Sequence, residues 1–467
     1  MDEYDLAVIG GGPGGYVAAI RAAQLGQRVV IFEKERLGGL CLNWGCIPSK
    51  AVLRNAEVVN YLREGDTWGI TIQGEPTFDF GAAIDRSRQV VEKIVGGVET
   101  LMKQNGITVV EAEASFASAG IISADGREYA AASTIIATGA STQTLPGVAV
   151  DGETVVTSRE ALARRRAPAG AVVIGGGPVG VEFAYMWSSY GAEVRIIERL
   201  ETLLPNEDPE IGKALEKSFA KRGIATTRGA SVEGVSVSGG TARVQVATDA
   251  GTEMVEADTV LVAVGFVPHT AGLGLDRAGV ETDEQGFIRI DDNLQTNVQG
   301  VYAVGDVTGK LMLAHVASQQ GVAAVEHLAG LGPPTLDYRQ MPRATYCQPQ
   351  VATIGYTERE ATDAGFAVRT GRFPFAALGH AIAMGDTEGF IKVVADSATG
   401  QILGIHMIGH DVNQVLGEAS LGVLLEATTV ELGFAVAPHP SLSEALKEAA
   451  LAADGNAIHI AHRRRSG

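Results

Sequence analysis

The chain has 467 residues, 46% of them hydrophobic, and a formal net charge of −18. This length exceeds what one compact core accommodates, and roughly two to four domains are expected. The negative charge argues against nucleic acid or an anionic membrane surface as the main partner. No uncharged apolar stretch reaches the ~20 residues that a membrane-spanning helix needs. We therefore expect neither nucleic-acid nor membrane binding.

The cysteine content bears on the cellular compartment. Cys41, Cys46 and Cys347 do not make the framework of a secreted disulfide-rich protein, which favours a reducing compartment. A signal peptide is not visible, since the first predicted strand begins almost at Met1. We expect a cytoplasmic protein, in which a disulfide is better explained by chemistry than by structural cross-linking.

The first predicted unit combines a strand, a glycine-rich turn and a helix. The buried strand Tyr4–Ile9 runs into GGGPGG, where Gly10, Gly12 and Gly15 fit G-x-G-x-x-G, and the strand after the helix ends at Glu33. The first glycine makes the turn, the second lets a pyrophosphate approach the backbone, and the third lets helix meet strand. The helix N-terminus faces the phosphates and the acid holds a ribose hydroxyl. The sequence therefore predicts a dinucleotide site.

The next stretch, 38–50 (GGLCLNWGCIPSK), places two cysteines beside this unit. Cys46 falls near the start of a helix expected from about Pro48, where the helix dipole favours a thiolate. A bond from Cys41 to Cys46 needs a distorted turn, which Gly45 permits. The alternatives are packed core cysteines or a metal pair, but no second Cys/His cluster of ligand spacing follows. The neighbouring dinucleotide unit favours redox chemistry.

The same strand–turn–helix–strand pattern returns after residue 170. The turn GGGPVG supplies Gly175, Gly177 and Gly180, and the following strand ends at Glu198. The acid lies 23 residues after the first glycine in both copies, since 33 − 10 and 198 − 175 are equal. One fingerprint is a weak signal, but two in the same context are a strong one. Because redox cysteines lie beside the first copy, we expect a flavin there and a nicotinamide dinucleotide at the second.

The end of the second unit indicates which nicotinamide cofactor binds. Glu198 would repel a 2′-phosphate and so favours NAD over NADP, although the adjacent Arg199 weakens this preference. Each unit closes with a strand that runs into glycine, at Thr138–Gly139 and at Gly265. Asp306 follows a further buried strand (VYAVGDV), where it either forms a turn or, as in flavoproteins, holds a ribityl hydroxyl.

The pattern changes after Pro333–Pro334. Segments such as VATIGYT and GQILGIHMIG predict an antiparallel sheet, and helices are expected from about Val412. These features indicate a third, α+β module from about Met341. Packing is the only role expected of Cys347, and the terminal RRRSG is expected to be a solvated tail.

A candidate base stands near the end, in APHPSLSEALKEAA. Ser441 and Glu444 fit a capping box, and Pro440 suits a helix start. His439 is the candidate because dithiol–disulfide chemistry needs a base and Glu444 can hold the imidazole ring. The His439–Pro440 bond can be cis, which would fix the direction of the ring.

These motifs together resemble those of the dihydrolipoamide dehydrogenase family, within the class I pyridine nucleotide-disulfide oxidoreductases. The resemblance covers essentially the whole chain; 38–50 and HPSLSE (439–444) are its most specific parts, and ATG, GDV and MLAH (312–315) agree. It implies an α/β fold with two Rossmann-like domains, for FAD and NAD, and a C-terminal α+β dimerisation domain. The expected boundaries are 1–148 (FAD domain, first part), 149–270 (NAD domain), 271–338 (return to the FAD domain) and 339–467 (dimerisation domain).

The resemblance also implies residue roles. Cys41 is the interchange thiol that meets the substrate, and Cys46 is the thiol that faces the flavin and forms the charge-transfer pair. His439, with Glu444, is the acid–base group, and in this family it comes from the partner subunit of an obligate homodimer.

Further residues are expected around the cofactors. Lys50 and Glu182 are similar to the ion pair near flavin N5, although surface charges on two helices are the commoner case. No metal site is expected. The expected FAD-binding residues are Gly10, Gly12, Gly15, Glu33, Lys50, Thr138, Gly139, Asp306 and Ala314. The expected NAD-binding residues are Gly175, Gly177, Gly180, Glu198 and Gly265.

The implied reaction is the oxidation of protein-bound dihydrolipoamide to lipoamide with reduction of NAD+ to NADH. The implied partner is a lipoyl-bearing acyltransferase of a 2-oxo acid dehydrogenase complex, or the glycine cleavage H protein. The alternatives are a glutathione- or mercuric-reductase-like enzyme and a non-catalytic nucleotide-binding component. A mercuric reductase would have a C-terminal cysteine pair, and no cysteine follows Cys347.

Three residues depart from the family pattern. Phe266 and His269 stand where Arg and Asn are commoner, and Pro178 stands where an aliphatic residue is usual. We expect all three to affect the nicotinamide side of the protein and not the reaction.

Overall fold

The computed structural model describes residues 2–74 and 76–461. The tail RRRSG (463–467), expected to be solvated, lies outside the described residues. Within them, no helix combines the length and the apolar character of a membrane span.

The first part of the chain builds a sheet with helices packed against it. Its elements are β1 (Asp2–Ile9), α1 (Pro13–Gln24), β2 (Val29–Phe32), α2 (Gly39–Trp44), α3 (Cys46–Arg63), α4 (Phe80–Gln104), β3 (Thr108–Val110), β4 (Ala114–Ser118), β5 (Ile121–Ala124), β6 (Arg127–Ile136) and β7 (Ala140–Thr142). The strand order is β3-β2-β1-β6-β5-β4, and β1 is parallel to both of its neighbours. Strand β2 (VVIF) is buried along its whole length, as expected of a parallel strand covered on both faces.

The second part repeats the strand–helix–strand unit. Its elements are β8 (Val155–Val156), α5 (Ser158–Ala161), β9 (Gly170–Ile174), α6 (Pro178–Ser189), β10 (Glu193–Ile197), α7 (Pro209–Lys221), β11 (Ala225–Thr227), β12 (Ser231–Ser238), β13 (Thr241–Thr248), β14 (Gly251–Ala257), β15 (Thr259–Val262) and β16 (Phe266–Pro268). The parallel order is β11-β10-β9-β15-β8, so β9–α6–β10 repeats β1–α1–β2. The separate antiparallel sheet β12-β13-β14 was not predicted from the sequence.

The chain then returns to the first sheet. The elements here are α8 (Leu275–Ala278), β17 (Val301–Ala303) and α9 (Ala314–Leu328). Strand β16 pairs with β7, and β17 lies parallel to β6. The return explains how Asp306, far along the chain, comes to the same sheet edge as the first glycine turn. The domain boundaries themselves stay predictions.

The last part is an antiparallel sheet with helices on it. Its elements are β18 (Arg343–Thr345), β19 (Gln350–Gly355), α10 (Glu358–Asp363), β20 (Val368–Pro374), α11 (Gly379–Ala383), β21 (Gly389–Asp396), β22 (Ile402–Gly409), α12 (Val412–Leu424), α13 (Thr429–Phe434) and α14 (Ser443–Ala453). The order is β18-β19-β22-β21-β20. The predicted fold class, two Rossmann-like units plus an α+β module, is confirmed.

Candidate active site

The two glycine turns have nearly the same geometry. Gly10 has φ +104°, and a Cβ there would lie 2.3 Å from the carbonyl oxygen of Ala137. Gly175 has φ +111°, and a Cβ there would lie 2.3 Å from the Ala263 carbonyl oxygen. Only glycine fits these two positions, because any side chain would collide with backbone.

The acids at the strand ends hold these turns in place. Glu33 accepts a hydrogen bond from Gly11 N at 2.8 Å, and Glu198 accepts one from Gly176 N at 2.6 Å. Each carboxylate therefore braces its turn, and each retains further oxygen lone pairs that a ribose hydroxyl can reach.

The middle glycines leave room for a ligand. A Cβ on Gly12 would lie 3.9 Å from its nearest neighbour, Gly39 Cα, and one on Gly177 would meet nothing within 4 Å. Both lie at the N-cap of a helix, α1 and α6. Open space before a helix N-terminus suits a pyrophosphate, so the residues present fit two dinucleotides.

A cavity lies beside the first turn and continues this site. It is bordered by Gly10, Glu33, Thr138 and His269. His269, expected at the nicotinamide side, borders this cavity beside the first unit, and its backbone N–H donates to Gly139 O where the chain leaves β16. The carboxylate of Glu33 beside this turn suits the nucleoside end of a dinucleotide.

The remaining residues expected around FAD also lie at element ends. Asp306 is in a 3-10 turn after β17, and burial raises its pKa to about 6. Ala314 is the first residue of α9. Among the described residues no cation pairs with this half-buried carboxyl, which suits a hydroxyl donor from a ligand.

Cys41 and Cys46 are joined by a disulfide, with their Cα atoms 4.7 Å apart. Cys41 lies in the short helix α2, and α3 begins at Cys46, two residues before the expected Pro48. Gly45 between the helices has φ −132° and ψ −109°, the distorted turn that the bond requires. The disulfide excludes the packed-thiol and metal-pair interpretations in this structure.

Lys50 and Glu182 form an ion pair where the three modules meet. Lys50 Nζ lies 3.0 and 2.9 Å from the two carboxylate oxygens of Glu182. Glu182 is buried and also accepts the backbone N–H of Tyr346 at 2.9 Å, and Lys50 Nζ lies 4.7 Å from the Tyr346 ring centroid. The pair is therefore not two independent surface charges.

His439 and Glu444 form a hydrogen-bonded pair on the third module. His439 Nδ1 lies 2.9 Å from Glu444 Oε1, and the His439–Pro440 peptide bond is cis. The capping-box prediction is half wrong. Glu444 accepts the Ser441 N–H, but α14 begins later, at Ser443, so the buried Ser441 hydroxyl has no hydrogen-bond partner among the described residues.

The charge of Glu444 is secured by its neighbours. Burial would raise the pKa of Glu444, but hydrogen bonds from His439 and Ser441 lower it below the usual range. A carboxylate at this position requires the hydrogen on Nδ1 of His439, which leaves Nε2 as the free basic atom.

Comparisons with known proteins agree with this geometry. Residues 4–321 match the pyridine nucleotide-disulphide oxidoreductase family, and residues 341–450 match its dimerisation domain. The dihydrolipoyl dehydrogenase of Mycobacterium leprae (strain TN) is 46% identical, over 96% of this chain and 97% of the relative. That of Bacillus subtilis (strain 168) is 43% identical, over 98% and 99%. LpdA from Mycobacterium tuberculosis, a solved structure, has a TM-score of 0.89 at 27% identity, over 96% of this chain and 99% of LpdA.

The chain belongs to the pyridine nucleotide-disulphide oxidoreductase family. The resemblance to dihydrolipoamide dehydrogenases stated from the motifs is confirmed, as are the oxidoreductase class and the use of FAD and NAD. The dimerisation-domain match supports the predicted homodimer.

The structure also places three further residues that were singled out in the sequence, Cys347, Gly265 and Pro178. Cys347 is fully buried, burial raises the pKa of its thiol, and packing is its observed role. Gly265 has φ +125°, and Pro178 is exposed in the first turn of α6. A proline there is conformationally suited to a helix start in this oxidoreductase, as Pro13 is in α1.

Two further residues, near the disulfide and at the ion pair, were not predicted from the sequence. Tyr346 acts through its backbone N–H, which leaves no signal in the sequence. Arg88 Nη1 donates to Asn43 O at 2.8 Å, at the C-terminal end of α2. The sequence does offer a sign of the role of Arg88, because this charged residue lies in α4 next to positions of the buried face, Ser87 and Val91.

Proposed function

We propose that this oxidoreductase oxidises dihydrolipoamide to lipoamide and reduces NAD+ to NADH, with Cys41, Cys46, His439 and Glu444 as its catalytic residues. The observation that carries the proposal is the disulfide placed directly after the first dinucleotide unit. The named dihydrolipoyl dehydrogenase relatives, similar over nearly the full chain, support the same reaction.

The cysteine pair supplies the exchange step. A substrate thiolate attacks Cys41 Sγ, the Cys41–Cys46 bond breaks, and Cys46 leaves as a thiolate at the N-terminus of α3, where the helix dipole stabilises it. The second substrate thiolate then attacks the substrate sulfur of the mixed disulfide, and lipoamide leaves with its new S–S bond. Both cysteines are then reduced, and two electrons have moved from substrate to protein.

The base and the cofactor residues serve the remaining steps. His439 Nε2 takes a substrate thiol proton while Glu444 holds the ring. When bound, FAD supplies the redox chemistry that carries two electrons onward to NAD+. Gly10, Gly12, Gly15, Glu33, Lys50, Thr138, Gly139, Asp306 and Ala314 would hold FAD. Gly175, Gly177, Gly180, Glu198 and Gly265 would hold NAD.

We propose that His439 serves the disulfide of a partner subunit in a homodimer. Its side chain is 77% exposed, so within one chain it faces solvent. Apolar side chains shortly before it in the chain are also exposed, with Phe434 at 86% and Val436 at 92%. Such a surface is typical of an obligate interface, which would carry His439 toward the second copy.

The partner beyond the dimer is a lipoyl-bearing acyltransferase or the glycine cleavage H protein. The net charge of −18 suits a basic docking domain and would speed its association. A cytoplasmic location stays a prediction.

A comparison of substrates tests the proposed reaction. Purified protein is assayed with dihydrolipoamide and NAD+, with glutathione disulfide and NADPH, and for bare NADH/NADPH exchange. We expect turnover with dihydrolipoamide and NAD+ to exceed the others by at least about a hundredfold. A yellow protein that prefers glutathione disulfide, or that is inactive on all substrates, would refute the proposal.

A further inference from the structure

His269 is fixed against the loop that follows β6. Its backbone N–H donates to Gly139 O at 3.0 Å, and its carbonyl accepts the Thr138 hydroxyl at 2.8 Å. Its ring Nδ1 lies 3.0 Å from Thr138 O. Three hydrogen bonds to two adjacent residues hold both the backbone and the ring of His269 in one orientation.

This contact also fixes the tautomer of the ring. A carbonyl oxygen can only accept, so Nδ1 carries the hydrogen and the neutral ring presents Nε2 as an acceptor. Among the described residues, none donates a hydrogen bond to this Nε2. The ring therefore has one acceptor to offer to a ligand.

His269 borders the cavity beside the first glycine turn. Gly10 and Glu33 line the same cavity, as do Lys34 and the backbone stretch 112–114. Glu33 is the acid at the end of the first unit, the position that meets a ribose in such units. A group reaching Nε2 of His269 would belong to the nucleoside half of the dinucleotide bound here.

We propose that His269 is an FAD-binding residue whose Nε2 accepts a hydrogen bond from the adenosine half of the cofactor. The donor is an N–H or O–H group, the adenine amino group or a ribose hydroxyl. This inference rests on FAD binding at the first unit and deepens the proposed function. It also replaces the expectation that the departure at this position acts on the nicotinamide side.

Flavin titration of the apoprotein tests the assignment without any turnover measurement. Bound FAD is removed, and FAD or FMN is added back to wild type, His269→Leu and His269→Asn. We expect His269→Leu to raise the Kd for FAD about tenfold, the worth of one hydrogen bond to a buried site. FMN lacks the adenosine half, so its Kd should not change. His269→Asn restores a hydrogen-bonding side chain, so its Kd for FAD should lie between those of wild type and His269→Leu.

Controls separate binding from folding and from the proposed reaction. Val267→Ala, at an exposed position of β16, the strand that precedes His269, should leave the FAD affinity unchanged, and the Kd for NADH should be the same in all variants. A flavin hypoxanthine dinucleotide, which lacks the adenine amino group, identifies the donor. If the amino group donates, His269→Leu should not raise the Kd for this analogue; if a ribose hydroxyl donates, the Kd should rise as it does for FAD. Equal FAD affinity in His269→Leu, or equal weakening of FAD and FMN, would overturn the assignment. Neither result depends on whether dihydrolipoamide is the substrate.

Discussion

The His439–Glu444 pair concentrates the proposed chemistry in two side chains. Glu444 keeps its charge through the neutral range, because hydrogen bonds hold its pKa below the usual range despite burial. Its carboxylate therefore orients His439 at every pH at which an imidazole base can act.

Removing the imidazole should separate chemistry from cofactor binding. His439→Ala is expected to keep bound FAD, since its described partner is Glu444 on the third module, and to lower lipoamide turnover at least about a hundredfold. Turnover and the visible spectrum of the purified variant measure the two effects. His327→Ala, on α9, serves as the control. Near-normal turnover of His439→Ala would remove the residue from the mechanism.

Ionisation of Asp306 makes the free energy of unfolding of the apoprotein depend on pH. Its pKa of about 6 in the folded chain exceeds the unfolded value of about 4. The folded state therefore binds this proton more tightly than the unfolded chain does. As the pH rises from about 4 to 6, ionisation of Asp306 lowers the free energy of unfolding, and above about pH 6 the loss reaches roughly 2–3 kcal/mol. Asp306→Asn should stabilise the apoprotein at about pH 8 by that amount and by roughly half as much at about pH 5, while weakening FAD binding.

Urea unfolding of the apoprotein at the two pH values measures this difference. The exposed Asp292→Asn is the matched control and should show no pH-dependent gain. If Asp306→Asn stabilises the chain equally at both pH values, burial of a charged carboxyl is not the cause.

At the scale of elements, the glycines of one turn have different functions. Gly175 has positive φ and its Cβ would strike backbone, whereas Gly177 has φ −74° and open space around its Cβ. Gly175→Ala is therefore expected to prevent correct folding. Gly177→Ala should fold and retain FAD but bind NADH more weakly, because the methyl group occupies the path of the pyrophosphate. Circular dichroism and NADH titration distinguish the two. Normal NADH affinity of Gly177→Ala would contradict the expected site.

Lys392 forms ion pairs that connect the second module to the third. This lysine on β21 is buried, and its Nζ lies 3.1 Å from Asp208 and 2.8 Å from both Glu210 and Glu358. Burial would lower the pKa of Lys392, but these carboxylates raise it above its usual range. The ammonium group therefore stays charged, and its network joins the start of α7 to the C-terminal sheet.

Lys392→Met should test this junction. Asp208 would remain buried without its cation, at a cost of about 3 kcal/mol in the free energy of unfolding. Lys217→Met, at an exposed position of α7, should change that free energy by less than about 0.5 kcal/mol. Denaturant unfolding followed by fluorescence measures both. Equal stability of the two variants would show that the network adds nothing.

The sequence predicted the elements whose local signals are strong. Two glycine turns with acids at equal spacing identified both nucleotide units, and Cys41 and Cys46 identified the redox centre. Helix α2 was missed because six residues give too short a pattern. Strand β13 alternates in burial, but it belongs with β12 and β14 to a sheet that no motif marks. The placement of His269 followed from pairing between β16 and β7, which is a long-range contact that local sequence does not encode.

At the scale of the whole molecule, the proposed catalytic residues lie on two different modules of the chain. The disulfide joins α2 to α3 in the first module, whereas His439 is exposed on the third, which also exposes Phe434 and Val436. One chain therefore carries both halves of the proposed chemistry, and a dimer would complete two sites at once.

A hybrid dimer tests this account most directly. Subunits with Cys46→Ser and with His439→Ala are co-expressed with different affinity tags, and the hybrid is purified through both tags. Each parent dimer should be nearly inactive in lipoamide-dependent NAD+ reduction. The hybrid should recover about half of the wild-type turnover, because one of its two sites combines an intact cysteine pair with the other subunit's intact His439. A hybrid as inactive as its parents, with normal FAD content, would contradict the account.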